Sequence, residues 1–202
     1  MSALLIQIDE KHVATLTLNR PLIHNAIDDT LIMELTNALR DLETKQQVRA
    51  VVLTSSGSSF CAGADLHWMR RMAGFSAEEN LRDAEALAGL LRRLSALGKP
   101  TLAVVQGPAY GGGVGLVAAC DIAVASDNAV FSLSEVRLGL IPATISPYVI
   151  GAIGVRAARR YFLTGERFTA AEAHRLGLVH EVVPPDQLQR AAERMLAALL
   201  EG

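Results

Sequence analysis

The chain has few of the residues that build disulfide frameworks or metal centres. Among its 202 residues there are two cysteines, Cys61 and Cys120, and five histidines. Both cysteines lie in apolar surroundings, without the spacing of a disulfide framework. No histidine stands at a metal-ligand spacing from another histidine or from a cysteine. The sequence therefore predicts neither a disulfide-stabilised fold nor a metal site.

An excess of one charge and a long hydrophobic run are also absent. The formal net charge is −2, so the composition gives no general attraction to nucleic acid or to anionic membranes. No apolar run approaches the roughly 20 residues that span a bilayer. The N-terminal residues lack the basic and apolar regions of a signal peptide. We therefore expect a cytoplasmic protein with no nucleic-acid partner and no membrane partner.

Hydrophobic periodicity predicts strands that alternate with helices. Period-two alternation predicts a β-hairpin from residues 6–8 and 14–18. Further predicted strands are 48–54, 102–105, 122–125, 129–132 and 179–183. Predicted helices are 28–45, one behind the capping box Ser76-x-x-Glu79, a short one ending near Ala119, and 146–161, 169–176 and 187–200. Such alternation predicts one α/β domain, with parallel strands joined by crossover helices.

A loop of small residues follows the predicted strand 48–54. It reads Ser59-Phe60-Cys61-Ala62-Gly63-Ala64-Asp65-Leu66. Small residues let a ligand approach the backbone, and a helix that starts just beyond would aim free N–H groups at that ligand. An ordinary strand-to-helix turn fits this segment equally well.

A second loop is unusually rich in glycine. Four glycines lie among the five residues from Gly111 to Gly115, shortly after the predicted strand 102–105. At the start of a helix they could offer unpaired N–H groups to an anion or to a developing oxyanion. The spacing is not that of a dinucleotide fingerprint, and no Walker lysine follows. Close packing of a helix against a sheet is the structural alternative.

One carboxylate stands out among apolar neighbours. Glu135 lies in the run Ser134-Glu135-Val136-Arg137-Leu138. Partial burial would raise the pKa of its carboxyl group toward the range that suits acid–base catalysis. A solvated glutamate, or one paired with Arg137, is the alternative.

Together, in this order and spacing, these segments resemble the crotonase (enoyl-CoA hydratase/isomerase) superfamily. The matching stretches are Asn19-Arg20-Pro21 with Asn25-Ala26, Phe60 to Asp65, Gly111 to Gly113, Ala119-Cys120-Asp121-Ile122, and Glu135 with Gly139-Leu140-Ile141-Pro142. The resemblance covers nearly the whole chain. It implies an α/β fold of the ClpP/crotonase type, a ββα superhelix, as a single domain over 1–202. The core would span about 1–183, and a C-terminal helical region, apparently truncated, would start at about 184–202.

The resemblance also implies roles for individual residues. The backbone N–H groups of Ala64 and Gly112 would form an oxyanion hole for a thioester, and Glu135 matches the second of two glutamates in family hydratases. The first glutamate would fall at Gly115, so this chain departs from the two-carboxylate pattern. The residues implied to bind the substrate or its CoA are Asn25, Ala26, Ala62, Gly63, Asp65, Gly111 and Gly115, with Arg20 as a further phosphate contact. An acyl-CoA thioester would be the substrate, and no metal or redox cofactor is implied.

A finer resemblance concerns the acyl group. Residues 66–69 and 138–148 are similar to bacterial methylglutaconyl-CoA hydratases of leucine breakdown. This implies a lyase that hydrates a 2-enoyl-CoA, with 3-methylglutaconyl-CoA as a candidate. The alternatives are an enoyl-CoA delta-isomerase with Glu135 as its only proton shuttle, and an inactive acyl-CoA-binding scaffold.

The predicted helix 187–200 bears on assembly. Its apolar residues Leu188, Ala191, Met195 and Leu199 share one face, which we expect to be exposed in a single chain. Family members form trimers that pair into hexamers. The resemblance therefore implies a homo-oligomer, either a trimer or a hexamer.

Overall fold

The computed structural model describes residues 2–201 and contains two β-sheets. The strands are β1 (Leu4–Ile8), β2 (Val13–Leu18), β3 (Ala50–Ser55), β4 (Thr101–Val105), β5 (Ala109–Tyr110), β6 (Ile122–Ser126), β7 (Val130–Ser132), β8 (Arg167–Thr169) and β9 (Glu181–Val183). The larger sheet has the order β1-β2-β3-β4-β6-β9. Only β1 and β2 pair antiparallel in it, while the other neighbours are parallel. The predicted hairpin and the predicted parallel sheet are both confirmed.

Seven α-helices connect or cover these strands within residues 2–201. They are α1 (Asp29–Thr44), α2 (Leu66–Met72), α3 (Ala77–Ser95), α4 (Gly112–Ala119), α5 (Ser146–Thr164), α6 (Ala170–Leu176) and α7 (Leu188–Glu201). Short 3-10 turns occupy Pro21–Ile23, Ser134–Leu138 and Pro185–Gln187. The six predicted helices are confirmed, with boundaries that differ by a few residues.

Side-chain caps explain where two of the long helices begin. The Asp28 carboxylate accepts a hydrogen bond from the Leu31 N–H at the start of α1. At the start of α3, the Ser76 hydroxyl accepts from the Glu79 N–H, and the Glu79 carboxylate accepts from the Ser76 N–H. This reciprocal capping box satisfies donors that the helix itself leaves without partners.

The helix α7 corrects one prediction from the sequence. Its apolar face packs on the larger sheet against Val52, Leu102 and Val124. Leu188 is 7% exposed and Ala191 is fully buried. The expected exposed face is therefore wrong, because α7 covers the side of the sheet that the other helices leave open. This face gives no argument for an oligomer.

The smaller sheet brings the two small-residue loops together. Its order is β5-β7-β8, with β5 parallel to β7 and β7 antiparallel to β8. Cys61 forms a parallel bridge with Ala109 of β5, and the Tyr110 N–H donates to the Cys61 carbonyl. The start of α4 therefore lies beside the loop that precedes α2.

Residues 2–201 contain neither a membrane-spanning helix nor a cluster of metal-ligating side chains. None of the helices in residues 2–201 is long and apolar enough to cross a bilayer. The same residues contain no group of three or more histidine, cysteine, aspartate or glutamate side chains that could hold a metal ion.

Candidate active site

In the loop before α2, the backbone N–H group of Ala64 has no protein acceptor among residues 2–201. Ala64 forms a parallel bridge with Ile27. In it the Ile27 N–H donates to the Gly63 carbonyl at 2.7 Å, and the Asp65 N–H donates to the Ile27 carbonyl at 2.8 Å. Because successive N–H groups of an extended segment point to opposite sides, the Ala64 N–H points away from Ile27. It has no acceptor among residues 2–201.

Gly63 sets the close approach between this loop and the glycine-rich loop. Its φ of +88° lies in the left-handed region, and a Cβ there would stand 3.1 Å from the Tyr110 carbonyl oxygen. A larger residue would be strained and would push the loops apart. Asp65 follows and caps α2, accepting from the N–H groups of His67 and Trp68.

The start of α4 supplies a second open N–H group. Gly111 precedes the helix with a φ of +49°, and its N–H donates to the Ser132 carbonyl at 2.9 Å. Gly112 is the first residue of α4, and its N–H finds no acceptor in the part of the chain that the structure describes. The N–H groups in the first turn of a helix have no intrahelical partners and carry the positive end of the helix dipole.

Both open N–H groups belong to one pocket of about 670 Å³, bordered by Ala64 and Gly112. Its walls are mainly apolar, with Leu66, Met69 and Leu87 among them. Among residues 2–201, the carboxylate residues that border this pocket are Glu135 and Asp83. The arrangement can therefore accept a long apolar group together with one polar oxygen that develops negative charge.

Glu135 is the titratable group best placed for proton transfer. It lies in the 3-10 turn Ser134–Leu138, and a Cβ on Gly111 would stand 3.0 Å from its Oε1. Its Oε2 is buried and has no hydrogen-bond partner among residues 2–201. Burial raises the pKa of this carboxyl above its ordinary value. The alternative of a pair with Arg137 is not found in the described residues.

Asp83 has a partner already. Its Oδ2 accepts a 3.2 Å hydrogen bond from the Trp68 Nε1–H. Trp68 is 4% exposed, packs in the core and also borders the pocket. Trp68 thus serves both as core packing and as a wall of the pocket.

The chain matches a known protein family over nearly its whole length. The family model described as enoyl-CoA hydratase/isomerase matches residues 9–202. The chain belongs to the enoyl-CoA hydratase/isomerase family.

Individual relatives support the same assignment and the fold. An enoyl-CoA hydratase structure from Shewanella pealeana is 45% identical, with a TM-score of 0.96 over 99% of this chain and 74% of that chain. One from Mycobacterium smegmatis is 38% identical, with a TM-score of 0.95 over 99% of this chain and 77% of that chain. The 2,3-dehydroadipyl-CoA hydratase of Escherichia coli is 38% identical over 187 residues, which cover 92% of this chain and 71% of that protein. The predicted crotonase-like α/β fold is confirmed.

Within this enoyl-CoA hydratase/isomerase chain, Ala62, Gly63 and Gly111 border the pocket, as Ala64 and Gly112 do. Asp65 does not border it. Burial alone would raise the pKa of its carboxyl, but the hydrogen bonds from Trp68 and His67 and the charge of Arg20 lower that pKa on balance. Asp65 therefore stabilises the start of α2 as a carboxylate.

Gly115 lies behind the wall of the pocket. It is buried inside α4, and a Cβ there would stand 2.3 Å from the Cγ2 of Ile145. Ile145 borders the pocket and Gly115 does not. Gly115 does not border the pocket, because the Ile145 side chain lies against it, and substrate contact by Gly115 stays a prediction.

The Asn25 side chain hydrogen-bonds to loop backbone and does not border the pocket. Its Oδ1 accepts from the Arg20 N–H, and its Nδ2 donates to the carbonyls of Ser56 and Ser59. The residue is fully buried, as Ala26 nearly is at 7%. Its side chain therefore fixes the loops around the site and has no polar atom left for a ligand. Arg20, the predicted phosphate contact, forms a 2.7 Å ion pair with Asp28.

Proposed function

We propose that this protein adds water to the double bond of a 2-enoyl-CoA thioester. The observation that carries the proposal is the pocket itself, where two N–H groups without protein acceptors lie with one buried carboxylate that also lacks a partner. The relatives named as hydratases support the same reaction class.

The two N–H groups would act on the thioester oxygen. When a nucleophile adds to C3 of the 2-enoyl group, the C2=C3 electrons move toward the carbonyl, and the oxygen gains negative charge. Donors from Ala64 and Gly112 that are already held by the fold stabilise that charge without reorganising. A single donor of this kind contributes about 2.7–4 kcal/mol to lowering the barrier.

Glu135 would move the proton. As a carboxylate it takes one proton from a water molecule while the water oxygen bonds to C3. The protonated Glu135 then gives a proton to C2 as the enolate returns to the thioester, so that H and OH have been added across the double bond. A raised pKa suits a group that must both accept and return a proton near neutral pH.

The acyl-CoA thioester is the only organic component that this reaction needs besides water. Hydration changes no net oxidation state, so the chemistry calls for no redox cofactor, and the oxyanion hole takes the role that a Lewis acid could play. We extend the proposal to 3-methylglutaconyl-CoA as the first acyl group to test, and to a cytoplasmic homotrimer or hexamer.

A delta-isomerase is the second candidate, and the single free carboxylate favours it. In an isomerase, Glu135 would remove a proton from C2 of a 3-enoyl-CoA and return it to C4. The same enolate would be held by Ala64 and Gly112, and no water would be added. The two candidates therefore differ in whether solvent oxygen enters the product.

Labelled water separates these reactions. The purified chain is incubated with crotonyl-CoA and with 3-methylglutaconyl-CoA in ¹⁸O-water, and the product mass is followed. The proposal expects one solvent oxygen in the product with at least one substrate, and its loss in a Glu135→Gln variant that still folds. No incorporation from either substrate, with conversion of a 3-enoyl-CoA to the 2-enoyl isomer, would assign the protein as an isomerase instead.

A further inference from the structure

The Ile145 side chain, in the wall of the pocket, fills the space that a side chain at position 115 would occupy. A Cβ placed on Gly115 would stand 2.3 Å from the Cγ2 of Ile145 and 2.8 Å from its Cβ. A side chain can move Cγ2 by changing rotamer, but no rotamer change moves Cβ. A residue larger than glycine at position 115 therefore requires a shift of the backbone at one of the two positions.

Position 115 faces the same side of α4 as position 112. The two positions are three residues apart, so their side chains would lie on neighbouring turns of one helix face. Gly112 borders the pocket directly, whereas at the next turn Ile145 covers Gly115 and borders the pocket in its place. A carboxylate on residue 115 would have to pass through the volume of Ile145 to reach the substrate.

The backbone of Ile145 is held firmly where it is. Its carbonyl accepts from the N–H groups of Tyr148 and Val149 at 3.2 and 3.1 Å. The next residue, Ser146, donates its N–H to the Pro142 carbonyl and its hydroxyl to the Ala143 carbonyl. Ile145 itself is 2% exposed and β-branched, which restricts its rotamers. Position 145 therefore cannot easily yield to a larger residue 115.

We infer that Ile145 is a specificity-determining residue that limits this site to a single proton-carrying carboxylate. It fills the volume through which a second carboxylate on α4 would reach the substrate, and it puts an apolar surface there. The other carboxylate of the pocket, Asp83, is bonded to Trp68. This inference rests on the proposed hydration, since it concerns which groups carry protons in that reaction.

A stability cycle tests the packing without any substrate. The variants are Gly115→Ala, Ile145→Gly and the double variant, each followed by thermal unfolding. Glycine at 145 removes both side-chain contacts and leaves its Cα at 3.8 Å from the added Cβ, an ordinary contact. We expect Gly115→Ala to lower Tm in the wild-type background and to raise it in the Ile145→Gly background. If Gly115→Ala leaves Tm unchanged or raises it in both backgrounds, the inference is overturned.

An activity comparison then tests the consequence for catalysis. The Gly115→Glu/Ile145→Gly variant is compared with Gly115→Gln/Ile145→Gly, which has the same packing but no ionisable carboxylate. We expect the glutamate variant to hydrate crotonyl-CoA at least tenfold faster at neutral pH, because acid–base catalysis typically contributes 10²- to 10⁴-fold. Equal rates, including no hydration by either variant, would overturn the inference.

The two sets of measurements separate this inference from the proposed function. If the wild-type chain incorporates no solvent oxygen from any 2-enoyl-CoA, the proposed function fails, whatever the stability cycle gives. If the wild-type chain hydrates and the Tm effects of positions 115 and 145 simply add, hydration stands and the role of Ile145 fails.

Discussion

Two successive turns on one face of α4 lack side chains for opposite purposes. At Gly112 the missing side chain leaves an N–H group open to the pocket, and no protein atom among residues 2–201 accepts from it. At Gly115 the missing side chain makes room for Ile145, which closes the wall. Glycine-rich sequence therefore does not by itself indicate ligand contact, because one glycine opens the site and the other admits a neighbour.

The largest effect should come from removing Glu135, the one carboxylate that remains available for proton transfer when Ile145 covers Gly115. We expect Glu135→Gln to lower kcat for 2-enoyl-CoA hydration by about 10²- to 10⁴-fold, because an amide cannot accept and return the proton. KM should change little, and the measurement is steady-state hydration of crotonyl-CoA. An Asp83→Asn variant, which keeps an oxygen for Trp68, should retain most activity. Comparable losses in both variants would contradict the single-carboxylate account.

Catalysis should be nearly as sensitive to a larger side chain at Gly112. A Cβ at Gly112 would stand 2.8 Å from the Ile27 Cδ1, so a valine side chain there would crowd the pocket beside the amide. We expect Gly112→Val to lower kcat/KM by about 10²- to 10³-fold, which corresponds to the loss of one oxyanion-hole donor. Gly89→Val on α3 is the matched control, since no atom lies within 4 Å of a Cβ built there. Equal effects of the two substitutions would show that the Gly112 amide has no special role.

Substitutions in the loops around the Ala64 N–H should act mainly by lowering the stability of the fold. The Asn25 side chain makes three hydrogen bonds to the backbone, one from the Arg20 N–H and two to the carbonyls of Ser56 and Ser59, and the bond to Ser59 is fully buried. We expect Asn25→Ala to lower the free energy of unfolding by about 2–3 kcal/mol, because three backbone partners lose their hydrogen bonds in buried or partly buried positions. Denaturant titration measures this, with Asn19→Ala as the less buried control. A change below that of the control would contradict the anchoring role.

The smallest expected effect is a shift of the pH profile. Burial raises the pKa of the Glu135 carboxyl, and the carboxylate form is the one that takes the proton from water. The hydration rate should therefore fall as the pH falls through that raised pKa. Replacing Ile145 by glycine should admit water, lower the pKa and move the acid limb of kcat/KM to lower pH. If the acid limb stays at the same pH in a folded Ile145→Gly variant, the Ile145 side chain does not influence the pKa of Glu135.

Local signals in the sequence were sufficient for much of the fold. The capping box at Ser76 predicts the start of α3, because it depends only on neighbouring residues. The three-residue strand β8, Arg167–Thr169, was not predicted, because its pairing with β7 is set by tertiary contacts and its alternation is too short to read. The burial of α7 was missed for a related reason, since a helix pattern does not show which face of a sheet it will cover.

The candidate site was predictable only in part. The residues that border the pocket through their backbone, such as Ala64 and Gly112, belong to short motifs that the resemblance identified. The contact of Gly115 with Ile145 joins positions distant in sequence, so no local pattern indicates it. Asn25 belongs to a matching motif, but its buried hydrogen bonds appear only when three loop segments come together.

Vibrational spectroscopy shows whether the Ala64 and Gly112 amides polarise the carbonyl of a bound thioester. Crotonyl-CoA labelled with ¹³C at the carbonyl is bound to the Glu135→Gln variant, which keeps both amides and turns over slowly. The isotope-edited infrared difference spectrum gives the carbonyl stretch of the bound thioester. We expect the carbonyl stretch to lie at a lower frequency than in water, with a smaller shift when Gly112→Val is added. A bound thioester whose carbonyl frequency equals that in water would contradict this expectation.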